Sequence, residues 1–311
     1  MKIIASLLLG ILLCLAAIPS LAESDPCIEE DTTIKYYSYS SALKVDYNKN
    51  KSYNLWRNRD YVPYALGKTS IPTITAYLTK SDAPTGCEIV FPGGGYAMRS
   101  NTEAQIAQVI QQEWGLSAFV VNYRIAPNHY RAILSDALRA IRFVRYYADD
   151  FNVEPSRIAV LGFSAGGHLA LMTAEHFDDE KSGDMIDSVS SRPDLAILCY
   201  PVSSMQDGLT HEESRANFLG DEDDPENRLK FSGETAVRED MPPVFLSHAM
   251  DDGTVPIEGS YALQAALERV GIPITVHWYE VGDHGYFVES AGHDAATWQE
   301  DIHSWLLTMW K

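Results

Sequence analysis

Beyond about residue 69 the chain alternates short apolar runs with longer segments whose apolar residues recur at helical spacing. Ile74 to Leu78, Glu88 to Phe91, Ala118 to Tyr123, Ile158 to Phe163, Leu195 to Tyr200, Val244 to Ser247 and Ile274 to Tyr279 read as strands. Ala118 to Tyr123 is largely apolar, as in a strand covered on both faces. Glu103 to Gln112, Tyr130 to Asp149, His168 to His176, Tyr261 to Val270 and Ala295 to Trp310 read as helices. In the second of these, Ile133, Ala137, Ile141 and Val144 fall on one side. This alternation predicts an α/β fold with a mostly parallel central sheet and helices on both faces. No linker divides residues 69–311, which are expected to form one domain. The polar stretch 23–68, rich in Tyr and Asn, reads as an arm with a few short strands packed on it. Residues 201–241 interrupt the alternation and are expected to form a short lid-like insertion over the strand ends. Their acidic cluster, Asp221 to Asp224, reads as a solvated loop ending in a helix start at Asp224–Pro225, with a calcium site as the competing reading.

The first residues do not fit that pattern. Lys2, the apolar run Ile3 to Ile18 and the small residues of Ser20-Leu21-Ala22 predict a cleaved signal peptide over 1–22. The run is shorter than the roughly 20 residues that span a bilayer. Cys14 follows Leu13 rather than a small residue, which argues against lipidation. Secretion or a periplasmic location is therefore expected, an oxidising setting in which one disulfide is allowed. Cys27, Cys87 and Cys199 remain after cleavage; if a disulfide forms, Cys27–Cys87 is the expected pair because Cys199 ends a buried-looking strand, with three free thiols as the competing reading. The formal charge of −19 disfavours nucleic acid and anionic membranes as partners and leaves neutral substrates unopposed.

Candidate chemistry concentrates at strand ends. Gly162-Phe163-Ser164-Ala165-Gly166 follows an apolar run and opens a helix, the context of a nucleophile elbow with Ser164 as nucleophile. Pro92-Gly93-Gly94-Gly95-Tyr96 follows the strand ending at Phe91. Its backbone N–H groups, at Gly94 or Gly95, together with Ala165 N–H, suit an oxyanion hole. No Gly-Lys-Ser/Thr follows, which excludes a P-loop. A serine needs a base, and His284 lies in a glycine-flanked loop after a strand, C-terminal to the serine. His293 is the fallback. The acid belongs to the loop after the strand at 244–247, where Asp251 and Asp252 are adjacent, and spacing does not choose between them. Asp283 ranks third because it adjoins His284 in sequence.

Taken together, these motifs resemble the α/β-hydrolase esterases that include bacterial acetylxylan esterases. The resemblance rests on Gly-Phe-Ser-Ala-Gly-Gly-His (162–168), Pro-Gly-Gly-Gly-Tyr (92–96), Asn122-Tyr123-Arg124, His248-Ala-Met-Asp-Asp-Gly-Thr-Val-Pro and Gly-Asp-His-Gly-Tyr (282–286), and covers Trp56 to the C-terminus. In that family the acid falls four residues after the strand-end histidine, which carries onto Asp252. The usual histidine loop has a second glycine where this chain has Asp283. The resemblance implies a serine esterase that removes short acyl groups, acetyl foremost, from plant polysaccharide or oligosaccharide without metal or cofactor. A general carboxylesterase or lipase and a feruloyl esterase are the rival enzymes. A non-catalytic binding module would ordinarily have lost the serine or the histidine, and both are present.

Overall fold

The computed structural model describes Leu43 and residues 45–56, 62–64, 71–177, 179, 181, 183–286 and 294–311. The expected signal peptide, most of the arm, Cys27 and His293 lie outside the described residues. Eight strands form one sheet: β1 (Lys51–Asn54), β2 (Thr73–Tyr77), β3 (Thr85–Phe91), β4 (Ser117–Asn122), β5 (Val153–Phe163), β6 (Leu195–Cys199), β7 (Val244–Ala249) and β8 (Ile274–Tyr279). Their order is β1-β2-β4-β3-β5-β6-β7-β8; β2 runs antiparallel to both its neighbours, and every other pair is parallel. Alternate residues of each central strand serve two cores. Ile89, Phe119, Val160, Leu198 and Leu246 pack against α2 (Tyr130–Tyr146), α4 (Ala165–Glu175) and α8 (Ile257–Val270). Val90, Ala118, Leu161, Ile197 and Phe245 pack against α1 (Ile106–Gln112) and α9 (Trp298–Met309). The period of two therefore explains why these strands read as unbroken apolar runs. This is the expected α/β-hydrolase architecture.

Element limits differ from the sequence reading where local residues override periodicity. The helix expected over 130–149 ends at Tyr146, and a short α3 (Ala148–Phe151) closes on Asn152 in a left-handed conformation. The helix expected from His168 begins at Ala165, because Gly166 and Gly167 in its first turn carry no apolar signal. The 201–241 segment holds α5 (Glu212–Leu219), α6 (Pro225–Lys230) and α7 (Gly233–Ala236), and buries Met205, Phe218, Leu219 and Phe231 completely. Its acidic cluster is shared out. Asp224 caps α6 by accepting from Glu226 N and Asn227 N, Asp223 pairs with Arg228, and Glu222 accepts from Tyr130 Oη and pairs with Arg131.

Two tethers fix the loops at the strand ends. Arg124, just after β4, forms a two-pronged buried pair with Asp136, whose carboxylate also accepts the indole N–H of Trp56. The neighbouring Tyr123 hydroxyl donates to the carbonyl of Pro92. The Cys27–Cys87 expectation fails: Cys87 is a free, fully buried thiol. It sits on a strand flanked by β4 and β5 and faces the α2–α4 core, while Cys27 lies outside the described residues.

Glu88 lies on the face of β3 opposite Cys87, fully buried, and both its carboxyl oxygens lack a hydrogen-bond partner among the described residues. Burial raises its pKa to about 8 from an ordinary value of 4.5. The folded chain therefore binds this proton more tightly than the unfolded chain. Its stability contribution is full below pH 4.5 and is lost as pH rises through about 8, at about 1.4 kcal/mol per pH unit. Glu88→Met is expected to melt above the parent at pH 8, with the advantage shrinking toward pH 5. A melting temperature difference that is constant across that range would contradict this.

Candidate active site

Ser164 occupies the turn between β5 and α4 with φ 54° and ψ −121°, a conformation strained for any residue with a side chain. The turn is possible because of its neighbours. A Cβ at Gly162 would stand 2.1 Å from the carbonyl oxygen of Gly166, and one at Gly166 would stand 2.0 Å from that of Phe91. The Ser164 amide donates to Cys199 O, and its carbonyl accepts from His168 N and Val202 N. With the backbone tied on three sides, the side-chain oxygen projects toward His284.

His284 follows β8, and its Nε2 is 3.0 Å from Ser164 Oγ. Its Nδ1 is 2.8 Å from Asp252 Oδ2. Asp252 follows β7 and its side chain is fully buried. Its Oδ1 accepts the amides of Thr254 and Val255, while Oδ2 also faces His248 Nε2 at 2.9 Å. Burial alone would raise the pKa of this carboxyl, but the donors from His248, His284 and Val255 hold it well below the usual carboxylate range. Asp252 is thus the aspartate that meets the imidazole. Asp251 points elsewhere, accepting the amides of Gly282 and Asp283 at 2.8 Å each, and so ties the acid loop to the histidine loop. Asp283 has φ 53°, which explains a glycine at this position in the resembling family; here its own carboxylate accepts His284 N.

The glycine loop passes directly beside the serine: a Cβ on Gly93 would lie 3.0 Å from Ser164 Cβ. Gly94 and Gly95 both have positive φ, 120° and 62°. Their amides, and that of Ala165 at the start of α4, have no hydrogen-bond partner among the described residues. The loop is held at both ends. Gly93 N donates to Glu103 Oε2, and Gly95 O accepts from Asn217 Nδ2 of α5 at 2.8 Å. Tyr96 packs on Phe218 and donates its hydroxyl to His168 Nδ1, leaving His168 Nε2–H for the carbonyl of Phe231. Burial pushes His168 down to about 4, so it stays neutral and accepts from Tyr96. The 201–241 insertion therefore supports the glycine loop directly.

Three residues near the reacting atoms escaped the sequence reading. Glu103 is buried, and its other oxygen accepts from Tyr200 Oη at 3.0 Å. Tyr200 in turn sets its ring edge-on to the His284 imidazole, with centroids 5.0 Å apart. Burial raises the carboxyl of Glu103, opposed by the Gly93 amide, the Tyr200 hydroxyl and the nearby His284. In the sequence Glu103 is only an acid in the first turn of a helix, which the helix dipole already explains. His248 entered only as a landmark for Asp252. Among the described residues no three His, Cys, Asp or Glu side chains converge as a metal site.

The BD-FAE family matches residues 76–267. Endo-1,4-beta-xylanase B of Butyrivibrio fibrisolvens is 35% identical over 76% of this chain and 38% of its own length. An acetylxylan esterase of Xylanibacter ruminicola is 35% identical over 65% of this chain and 42% of its own. The chain thus spans about two fifths of the length of these relatives. The crystal structure of an acetyl ester-xyloside bifunctional hydrolase from Caldicellulosiruptor lactoaceticus superposes with a TM-score of 0.79 at 37% identity, covering 83% of this chain and 96% of that one. The fold, the elbow and this match agree: the chain belongs to the BD-FAE family of α/β hydrolases.

Proposed function

We propose that this chain is a serine ester hydrolase that removes short acyl groups, acetyl foremost, from xylan-type polysaccharide or oligosaccharide. The observation that carries the reading is the unbroken contact from Ser164 Oγ through both nitrogens of His284 to buried Asp252, beside glycine-loop amides that have no partner among the described residues. His284 Nε2 takes the hydroxyl proton as Ser164 Oγ attacks the ester carbonyl. The oxyanion forms against the amides of Ala165 and of Gly94 or Gly95. Asp252 accepts Nδ1–H throughout and stabilises the imidazolium. Collapse expels the alcohol, which takes its proton from His284. Water then adds to the acyl-enzyme with the same histidine as base, and the carboxylic acid leaves.

The acetyl and xylan assignment draws on the names of the similar proteins, an acetylxylan esterase and an acetyl ester-xyloside hydrolase. The net charge of −19 suits a neutral glycan better than an anionic one. Export to where such glycans occur is part of the proposal, supported by the basic and apolar pattern of residues 1–22.

Ser164→Ala is expected to lower turnover of a chromogenic acetate ester by on the order of 10⁴–10⁶ while the fold is retained; near-normal turnover removes Ser164 from the reaction. Asp252→Asn is expected to cost far more than Asp251→Asn, since only the former meets the imidazole; the reverse order transfers the acid role to Asp251. Glu103→Ala releases one end of the glycine loop and is expected to lower kcat by about 10- to 100-fold, as for losing a hydrogen bond from a charged group; unchanged kcat means that the loop holds without it. Acetyl, butyryl and octanoyl esters should be hydrolysed in decreasing order, and acetylated xylan should release acetate. Fastest turnover of the octanoyl ester would replace the acetyl reading with a lipase.

A further inference from the structure

A second histidine lies behind Asp252, and the acyl-transfer steps leave it unused. His248 belongs to β7 and is fully buried. Its Nε2 meets Asp252 Oδ2, the same oxygen that receives His284 Nδ1. Its Nδ1 is 2.9 Å from Ser260 Oγ of α8, which is 3.1 Å from Ser203 Oγ. Both serines are buried. An ionised aspartate only accepts hydrogen bonds, so the facing Nε2 carries a hydrogen and donates. The other ring nitrogen, Nδ1, is held by its hydrogen bond with the Ser260 hydroxyl, which fixes the plane of the ring.

The other acids nearby do not do this work. Asp251 and Asp283 accept backbone amides, and Glu103 serves Gly93 and Tyr200. Asp252 and His284 both sit on loops, and the imidazole is 20% exposed. Thr254 and Val255 restrain Oδ1 from within the acid's own loop. His248 alone ties Oδ2 to a strand in the interior of the sheet, between β6 and β8.

We infer that His248 is a positioning residue: its Nε2–H, oriented by Ser260, holds the Asp252 carboxylate in place while His284 takes up and releases its proton. This rests on the acyl-transfer reading above, and the test separates the two. His248→Gln places an amide nitrogen where Nε2 stood and can still donate to Asp252. His248→Asn places its nitrogen where Nδ1 stood, toward Ser260, out of reach of the carboxylate. Both are buried amides, with similar demands on folding. On an acetate ester, His248→Asn is expected to lose about 10- to 100-fold in kcat with KM unchanged, and His248→Gln to recover most of that loss. Ser260→Ala, a small change, reads the same link from the other ring nitrogen, with a smaller drop in kcat at unchanged KM. Equal kcat in the Gln and Asn variants, or an unaffected kcat in both His248→Asn and Ser260→Ala, overturns the inference. Ser164→Ala run alongside keeps the two claims apart. If it stays active, the acyl-transfer reading falls; if it is dead while the His248 pair behave alike, only the role of His248 falls.

Discussion

At Ser164 the backbone turns with φ 54°, and the rest of the site is arranged around that turn. It exists because two chain segments approach more closely than a Cβ permits, at Gly162 against Gly166 and at Gly166 against Phe91. The second approach matters most. It brings the end of β3, and so the glycine loop that follows it, against the first turn of the serine helix. The strained elbow and the placement of the glycine loop beside it are consequences of one contact, and a side chain at Gly166 would separate them. The strain is held by the hydrogen bonds of Ser164 to Cys199 at the end of β6, to His168 in α4 and to buried Val202.

Three buried carboxyl groups show how surroundings rather than residue type set behaviour. Asp252 receives donors on both oxygens, and the donors outweigh burial. Glu103 receives one donor on each oxygen, and burial wins. Glu88 receives none, and its carboxyl keeps its proton to about pH 8. The first anchors the imidazole and the second anchors the glycine loop.

The 201–241 insertion is built into the site rather than laid over it. Phe218 and Phe231 belong to the same core as α2 and α4, and Asn217 holds the carbonyl of Gly95. His168 bridges the two, bonded to Tyr96 of the glycine loop on one side and to Phe231 of the insertion on the other. Changes in the insertion therefore act on the amides of Gly94 and Gly95 through the loop backbone.

The amino-acid pattern alone determined the alternation of strands and helices, the elbow, the glycine loop and the histidine loop. These are local statements: an apolar period and glycines at a turn are written in neighbouring residues. The choice between Asp251 and Asp252 was not local in that sense. Adjacent aspartates point to opposite sides of a loop, and only the folded loop shows that one meets His284 while the other clasps Gly282. Cys87 looked available for a disulfide until the order of the sheet enclosed it. Glu103, Tyr200 and His248 were equally illegible, because each acts on a residue far along the chain, or through a hydrogen bond whose direction depends on what lies behind it. Periodicity records which face of a segment is buried. It does not record which polar group is buried with it, and that pairing was decided by tertiary packing.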